Sequence, residues 1–547
     1  MNGLLIALIV IVCYFAVLII GNKLKVWERL SFSVKGPLLF WQTRKGKDLI
    51  ERIGSRERFW TAYGKIATGI CFGTMLVLLL LLGWNAVVAL SIPKSMALDP
   101  ELLLGIPGIN PIIPIGYGIL GLAVSIMVHE FAHGILARAG RINIESLGLV
   151  FFIFPIAAFV EPNEEEVKNA NWRKRSRLFA AGPATNMILA FICLILFIGV
   201  FAPAAEPTYD GAVAVGIAGD SPADRYELKV WSQILSIGGS AIESASDLEE
   251  YYFENPGELV MLEIYYRGSQ SQIEIPGGVS VTPVEGGPAH DAGLVDGMII
   301  VSLDDAQIHN VSGLREAIRN APVDAPVNIT VLDFQYDPEI DSERYMMDES
   351  ISTITLISKW DYYEQNYPES NEVGFKNISY MGVTISTLGI APENAEFILD
   401  ITAGAFSEIG DLDNLVAKSL RFIALPFWGY SPVNSPMSDL YEPTGAMAVI
   451  PDGFYWVLTN SLYWIFWINL MLGLFNALPA VPLDGGYLFK DYARSLLAWL
   501  SGRRSRSREG KSGLSEEQID RIINRIVLFI SLVMLFLIVW PILIPRL

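Results

Sequence analysis

The sequence predicts a polytopic α-helical membrane protein of about six spans that carries a large soluble α+β insert. Three observations lead there. Hydrophobic residues make up 52% of the 547-residue chain and charged residues only 18%, where a soluble domain carries about 25% charged residues. Six runs (3–21, 66–93, 102–128, 178–205, 453–483 and 526–545) hold no Lys, Arg, Asp or Glu, and each is near the roughly 20 residues that one spanning helix needs. Between the fourth and fifth runs, residues 206–452 collect most of the acidic side chains and are numerous enough for two small domains or more.

The first run lacks a basic leader and a small-residue cleavage site before Lys23, so it reads as a retained anchor. The loop after it, 22–65, holds eleven Lys and Arg; 138–177 is basic at both ends; 490–525 holds nine, including Arg503, Arg504, Arg506 and Arg508. Basic loops stay on the cytoplasmic side. These three loops share one side if all six runs span a cell membrane. The insert 206–452 is then extracytoplasmic, and the net charge of −19 belongs mostly to it. Loop 22–65, with Gly36-Pro37 and Trp41, reads either as a segment lying on the inner leaflet of the bilayer or as an ordinary basic loop. The third and fifth runs contain Pro and Gly and are expected to be helical over part of their length. Cys13, Cys71 and Cys193 all fall in predicted spans, so no disulfide is expected in the insert.

The insert contains an internal repeat. Val215–Leu248 lies over Val281–Leu314 at a constant offset of 66, matching Leu228 with Leu294, Ile234 with Ile300, Ile242 with Ile308 and Leu248 with Leu314. Each copy reads as a Pro-Ala helix start, a short apolar strand, a turn and an amphipathic helix, with Leu259–Tyr266 and Val327–Leu332 as closing strands. The pattern resembles a PDZ domain taken twice, most clearly in GGPAHDAGLVDGMIIVSLDDAQI. The first copy departs at Trp231-Ser232, where a Gly-Asp pair is usual. The resemblance implies peptide C-termini as ligands of the repeats. Residues 335–380 read as an extended or partly ordered connector, and 395–450 as carrying membrane-associated elements around Phe422–Trp428. The expected organisation is an anchor and basic loop (1–65), spans two to four (66–205), repeat one (206–277), repeat two (278–338), an acidic connector (339–452) and the final spans (453–547).

The chemistry concentrates in His129-Glu130-Phe131-Ala132-His133 at the end of the third run. On a helix the two imidazoles lie one turn apart on one face. At that spacing they can bind one zinc ion, and Glu130 is left as a general base toward water. Ionisable groups within a span are costly, by about 2.5–3.5 kcal/mol each, and a bound metal would compensate them. Three protein ligands leave a catalytic zinc one open position. A third histidine six residues on is excluded, because that residue is Ala139. Asp484, after the apolar part of the fifth run, is the best candidate, and the charge pattern puts both it and His133 near the cytoplasmic face.

HEFAH, then AGPATN (181–186), then NALPAVPLDGG (476–486) resembles the site-2 protease family of intramembrane zinc metalloproteases. That resemblance implies His129, His133 and Asp484 as zinc ligands and Glu130 as catalytic base. It implies a membrane-dipping β-hairpin at Leu147–Pro162 that pairs with an extended substrate; Ala157-Ala158 stand where the family has glycines. It leaves two readings for Asn186 and Asn476: hydrogen bonds to the substrate backbone or an oxyanion, or ties between broken helix ends. The expected activity is hydrolysis of peptide bonds within or near the transmembrane segment of a single-span membrane protein. The repeats would act as a size filter or a reader of new C-termini, and no nucleic-acid partner is expected. The competing reading is a catalytically silent receptor or scaffold bearing PDZ repeats.

Overall fold

The computed structural model describes the chain except for residues 1–2, 31, 44–45, 93, 95–99, 104, 106, 153, 337–344, 367–372, 397–398, 400–418, 421, 429–432, 507–513 and 547. The chain divides into two units, 1–200 with 423–432 and 457–547, and 201–422 with 433–456.

The first unit is helical with one small sheet. Among the described residues, five helices are long and apolar enough to cross a membrane: α3 (Glu57–Val88, extended to Ser91 by a 3-10 turn), α4 (Ile115–Ala139), α6 (Trp172–Leu196, continued to Ala204), α11 (Asp452–Asn476) and α13 (Glu516–Leu543, continued to Arg546). The first run is helical too, as α1 (Gly3–Lys23), of which Val12–Lys23 counts as a shorter apolar helix. Several helix ends differ from the ends of the uncharged runs, and proline sets two of them. Pro114 caps α4, which therefore begins after the prolines of the third run and carries His129–Arg138 inside the helix. Helix α11 stops at Asn476, because Pro479 and Pro482 cannot continue it, and a separate helix α12 (Asp484–Arg506) starts at Asp484.

Loop 22–65 is more ordered than its charge suggests. Strands β1 (Phe32–Lys35) and β2 (Leu38–Thr43) turn at Gly36, and helix α2 (Lys47–Gly54) follows. Strand β2 pairs antiparallel with β3 (Ile144–Phe152), which pairs with β4 (Phe154–Pro162), giving a four-stranded sheet in the order β1-β2-β3-β4. The expected hairpin is thus present but extended on one side by the N-terminal loop. Its strands pair as far as Phe152 and Phe154, and Ala157-Ala158 sit inside β4 beside a bulge. The short helix α5 (Glu164–Asn169) leads from β4 to α6. Ile50, Ala132, Ile135, Leu136, Leu147 and Val160 form a core between α2, α4 and the sheet. Against α3 and α12, the small residues Ala180 and Ala184 of α6 meet Ala67, Cys71 and Leu488. Small side chains are what allow helices to approach closely in an apolar setting.

The second unit holds the repeat, and the offset of 66 survives to the residue. The first copy runs β5 (Ala212–Ile217), α7 (Pro222–Arg225), β6 (Gln233–Ile237), β7 (Ser240–Ala241), α8 (Ala245–Glu250), β8 (Leu259–Tyr266) and β9 (Ser269–Pro276). The second runs β10 (Val279–Pro283), α9 (Pro288–Asp291), β11 (Ile299–Leu303), β12 (Ala306–Gln307), α10 (Val311–Asn320), β13 (Pro326–Tyr336) and β14 (Tyr345–Thr355). Every apolar pair matched by the repeat is buried, Ile234 and Ile300 completely.

What the repeat did not foretell is how the sheets close. The segment read as a connector supplies β14 and two further strands, β15 (Val383–Thr387) and β16 (Ile390–Asn394). Strand β15 pairs with β10 of the second copy, and β16 pairs with β5 of the first. Ala289 N–H donates to Met381 O, and Ala223 N–H to Leu388 O, the same contact seven residues later. The second copy is therefore nested inside the first, so chain cuts at 277 or 338 separate strands that share a sheet. Gly382 and Gly389 open these strands at φ +72° and +84°, a conformation glycine adopts freely. Residues 337–344 and 367–372 of the connector, and most of 395–418, lie outside the described residues, while Leu425–Trp428 form a 3-10 turn.

Candidate metal centre

Helix α4 brings His129 and His133 to one face, one turn apart, and the first turn of α12 brings Asp484 against them. The Nε2 atoms of the two histidines are 3.1 Å apart. Asp484 Oδ2 lies 3.0 Å from His129 Nε2 and 3.1 Å from His133 Nε2. These three atoms form a nearly equilateral triangle. A zinc ion with bonds of about 2.0–2.1 Å in tetrahedral directions holds its ligand atoms about 3.3 Å apart, so the triangle needs to open by only a few tenths of an ångström. Two imidazoles and a carboxylate are a donor set that suits zinc. His129 is 7% exposed, and the side chains of His133 and Asp484 are largely buried.

Both histidines are held from behind. The Nδ1–H of His133 donates to the carbonyl of Leu178 in α6 at 2.8 Å. His129 Nδ1 lies 3.3 Å from the Asn186 amide, also on α6. Asn186 is fully buried, and its Oδ1 has no hydrogen-bond partner. Amide orientation is an assignment; turned over, Asn186 Oδ1 accepts from His129 Nδ1–H. Each imidazole then keeps its proton on Nδ1 and presents a bare Nε2 lone pair, the state a metal ligand requires.

Glycine makes the approach of α6 possible. A Cβ on Gly182 would stand 2.5 Å from Nε2 of both histidines. Nothing larger than hydrogen fits there. Gly485 and Gly486 play the same part after Asp484: a Cβ on Gly485 would overlap the backbone of Ala477, and one on Gly486 would stand 2.5 Å from the carbonyl carbon of Ala480. The loop from Asn476 can therefore fold tightly over the start of α12.

Glu130 lies between the two histidines on α4. Its Oε2 accepts the N–H of Val160 in β4 at 3.1 Å. Strand β4 is the outer strand of its sheet, so the free edge of that strand faces the carboxylate. The structure thus brings His129, His133 and Asp484 together, sets Asn186 beside His129, and bonds Glu130 to β4. Asn476 is placed otherwise: its amide donates to the Leu472 carbonyl one turn back in α11, at 3.0 Å. The residues that sequence reasoning passed over are Gly182, Leu178 and Val160. The last two act through backbone groups, which leave no side-chain signature; Gly182 stood inside a quoted motif without a role.

Comparison with known proteins gives the family. The sequence signature of Peptidase family M50 matches residues 117–513, which contain every residue named above. An uncharacterized protein of Methanocaldococcus jannaschii is 30% identical over 213 residues, 38% of this chain and 54% of that one. A Clostridium acetobutylicum protein named "Putative zinc metalloprotease" is 24% identical over 182 residues, 29% of this chain and 52% of that one. The chain thus spans about half the length of the curated relatives it matches. With its signature covering most of the sequence, the chain belongs to peptidase family M50, the site-2-type metallopeptidases.

Proposed function

We propose that this chain is an intramembrane zinc endopeptidase that hydrolyses peptide bonds within or near the transmembrane segment of a single-span membrane protein. The observation that carries the reading is the triangle of His129, His133 and Asp484 with the Glu130 carboxylate beside the free edge of β4. Zinc held by the three ligands would supply Lewis-acid polarisation of the scissile carbonyl.

The protein groups do the rest. An edge strand offers unpaired N–H and C=O groups. An extended substrate segment that pairs with β4 is held by backbone hydrogen bonds, with its helix unwound. Its scissile bond then runs past Glu130. Glu130 takes a proton from the attacking water as oxygen bonds to the carbonyl carbon. It returns that proton to the amide nitrogen as the C–N bond breaks. The Val160 N–H fixes the carboxylate against the strand that carries the substrate. Asn186 orients His129, and Asn476 secures the end of α11 where the helix breaks.

Charge supports the orientation. The basic segments 22–65 and 490–525 point to a cytoplasmic face near the metal centre, with the acidic insert on the opposite side. The two nested copies are read as PDZ-like domains that admit substrates already trimmed outside, either by size or by their new C-termini. The test of the activity is cleavage of a single-span substrate by purified protein in proteoliposomes, wild type against Glu130→Gln. Loss of cleavage in the variant, with bound zinc unchanged, is the expected result. Undiminished cleavage would remove Glu130 as the base.

A further inference from the structure

Helices α6 and α12 run antiparallel and are linked at three successive levels, the first through the histidines of α4 and the other two directly. At the metal centre, Gly182 faces the histidines that Asp484 also contacts. One turn away, the Phe179 and Tyr487 rings stack with centroids 5.1 Å apart and an interplanar angle of 22°. A further turn away, Arg175 grips Asp491. The register is regular: α6 steps back from 182 to 179 to 175 as α12 steps forward from 484 to 487 to 491. The last pair sits seven residues from the centre on both helices, about 10 Å along each axis.

The Arg175–Asp491 contact is unusually complete. Nε–H donates to Oδ1 and Oδ2 at 3.2 and 3.0 Å, and Nη2–H to Oδ1 at 2.6 Å. The Asp491 side chain is 9% exposed and that of Arg175 18%. Nη1–H of the same guanidinium donates to the carbonyls of Lys168 and Ala170, where α5 ends after β4. Arg494, one turn further along α12, is engaged instead with Glu516 and Asp520. A planar fork that satisfies a carboxylate bidentately fixes geometry as well as charge.

We propose that Arg175 and Asp491 are positioning residues for the metal centre. They set the axial register of α12 against α6, and so place Asp484 within reach of both histidines. Asp484 has only the first turn of its helix and a proline-broken loop to hold it. The ring stack and the Arg175–Asp491 pair transmit the register of α6 to that turn. Through the α5 carbonyls, the same guanidinium ties this register to the end of the β4 hairpin.

This inference rests on the reading of His129, His133 and Asp484 as zinc ligands. The test is zinc affinity of the full-length protein in detergent, by competition with a chromophoric chelator, beside the melting temperature of the metal-free form. The variants are Arg175→Lys, which keeps the charge and loses the fork, and Asp491→Asn. Arg141→Lys is the control, because Arg141 makes a similar fork to Glu57 on the exposed surface. Either variant is expected to weaken zinc binding about 10-fold or more, the scale of lost outer-sphere support. The metal-free melting temperature should fall no further than in the control. Zinc affinity within twofold of wild type in Arg175→Lys would overturn the proposal and leave the proposed activity standing. A fall in affinity matched by unfolding of the metal-free protein would also overturn it. Absence of zinc binding in the wild type would instead overturn the activity itself. Should Asp491→Asn fail to fold, Arg175→Lys decides alone.

Discussion

Gly182 sets a tight steric limit on the centre. Its hydrogen occupies the space where a Cβ would press on both Nε2 atoms at 2.5 Å. Gly182→Ala is therefore expected to lower zinc affinity at least about 10-fold, measured by chelator competition, with little change in helix content, since alanine suits a helix better than glycine. Unchanged affinity would mean the histidines face elsewhere. The proposed ligands were legible because imidazole and carboxylate chemistry at helical spacing is a side-chain signal. His129, Glu130, His133 and Asp484 could all be named from the sequence. The groups that orient them could not, because Leu178 and Val160 contribute a carbonyl and an N–H that every residue has. Asn186 was named with two readings open, and the structure sets its amide beside His129.

Elements were legible where periodicity was long and unbroken. The uncharged runs located every described helix long and apolar enough to span, yet they missed several ends: charged residues continue some helices, and proline sets the start of α4 and the end of α11. Strands β1 and β2 were not legible in a loop marked by its eleven Lys and Arg: Phe32-Ser33-Val34-Lys35 and Leu38-Leu39-Phe40-Trp41-Gln42 are two short strand-like runs on either side of Gly36-Pro37. Those strands have a role in the account. They back the hairpin whose outer edge faces Glu130, and β2 meets β3 closely at Gly148, where a Cβ would overlap the Trp41 carbonyl. Gly148→Val is expected to part β2 from β3 and shift β4. Cleavage of a single-span substrate should fall by roughly tenfold or more while bound zinc stays at the wild-type level. Normal cleavage would show that the extra strands do not steady the substrate edge.

At the scale of the whole molecule, the repeat was legible and its closure was not. Equivalent apolar positions recur at a fixed offset, but strand pairing across more than a hundred residues leaves no local trace. The nested arrangement changes how the insert must be probed. A deletion ending at 385 would leave β16 without its sheet, so the deletion that tests substrate filtering runs from 206 to 395. Its removal is expected to relax discrimination between trimmed and untrimmed single-span substrates; unaltered discrimination would reject the filter. Nesting also makes the first copy depend on the far end of the insert. Leu388 is fully buried in the first copy's core, and Leu388→Ala is expected to destabilise the insert by about 2–5 kcal/mol, read as earlier proteolytic cleavage in 206–277. Resistance equal to wild type would argue that the first copy is complete without β16.

The central claim is that one zinc ion is held by two imidazoles and one carboxylate drawn from α4 and α12. X-ray absorption at the zinc edge of the purified full-length protein tests it most directly. The account predicts one zinc per chain, two nitrogen neighbours and oxygen at about 2.0–2.2 Å, and loss of the signal in Asp484→Ala. A sulfur neighbour, or full zinc occupancy in Asp484→Ala, would contradict it.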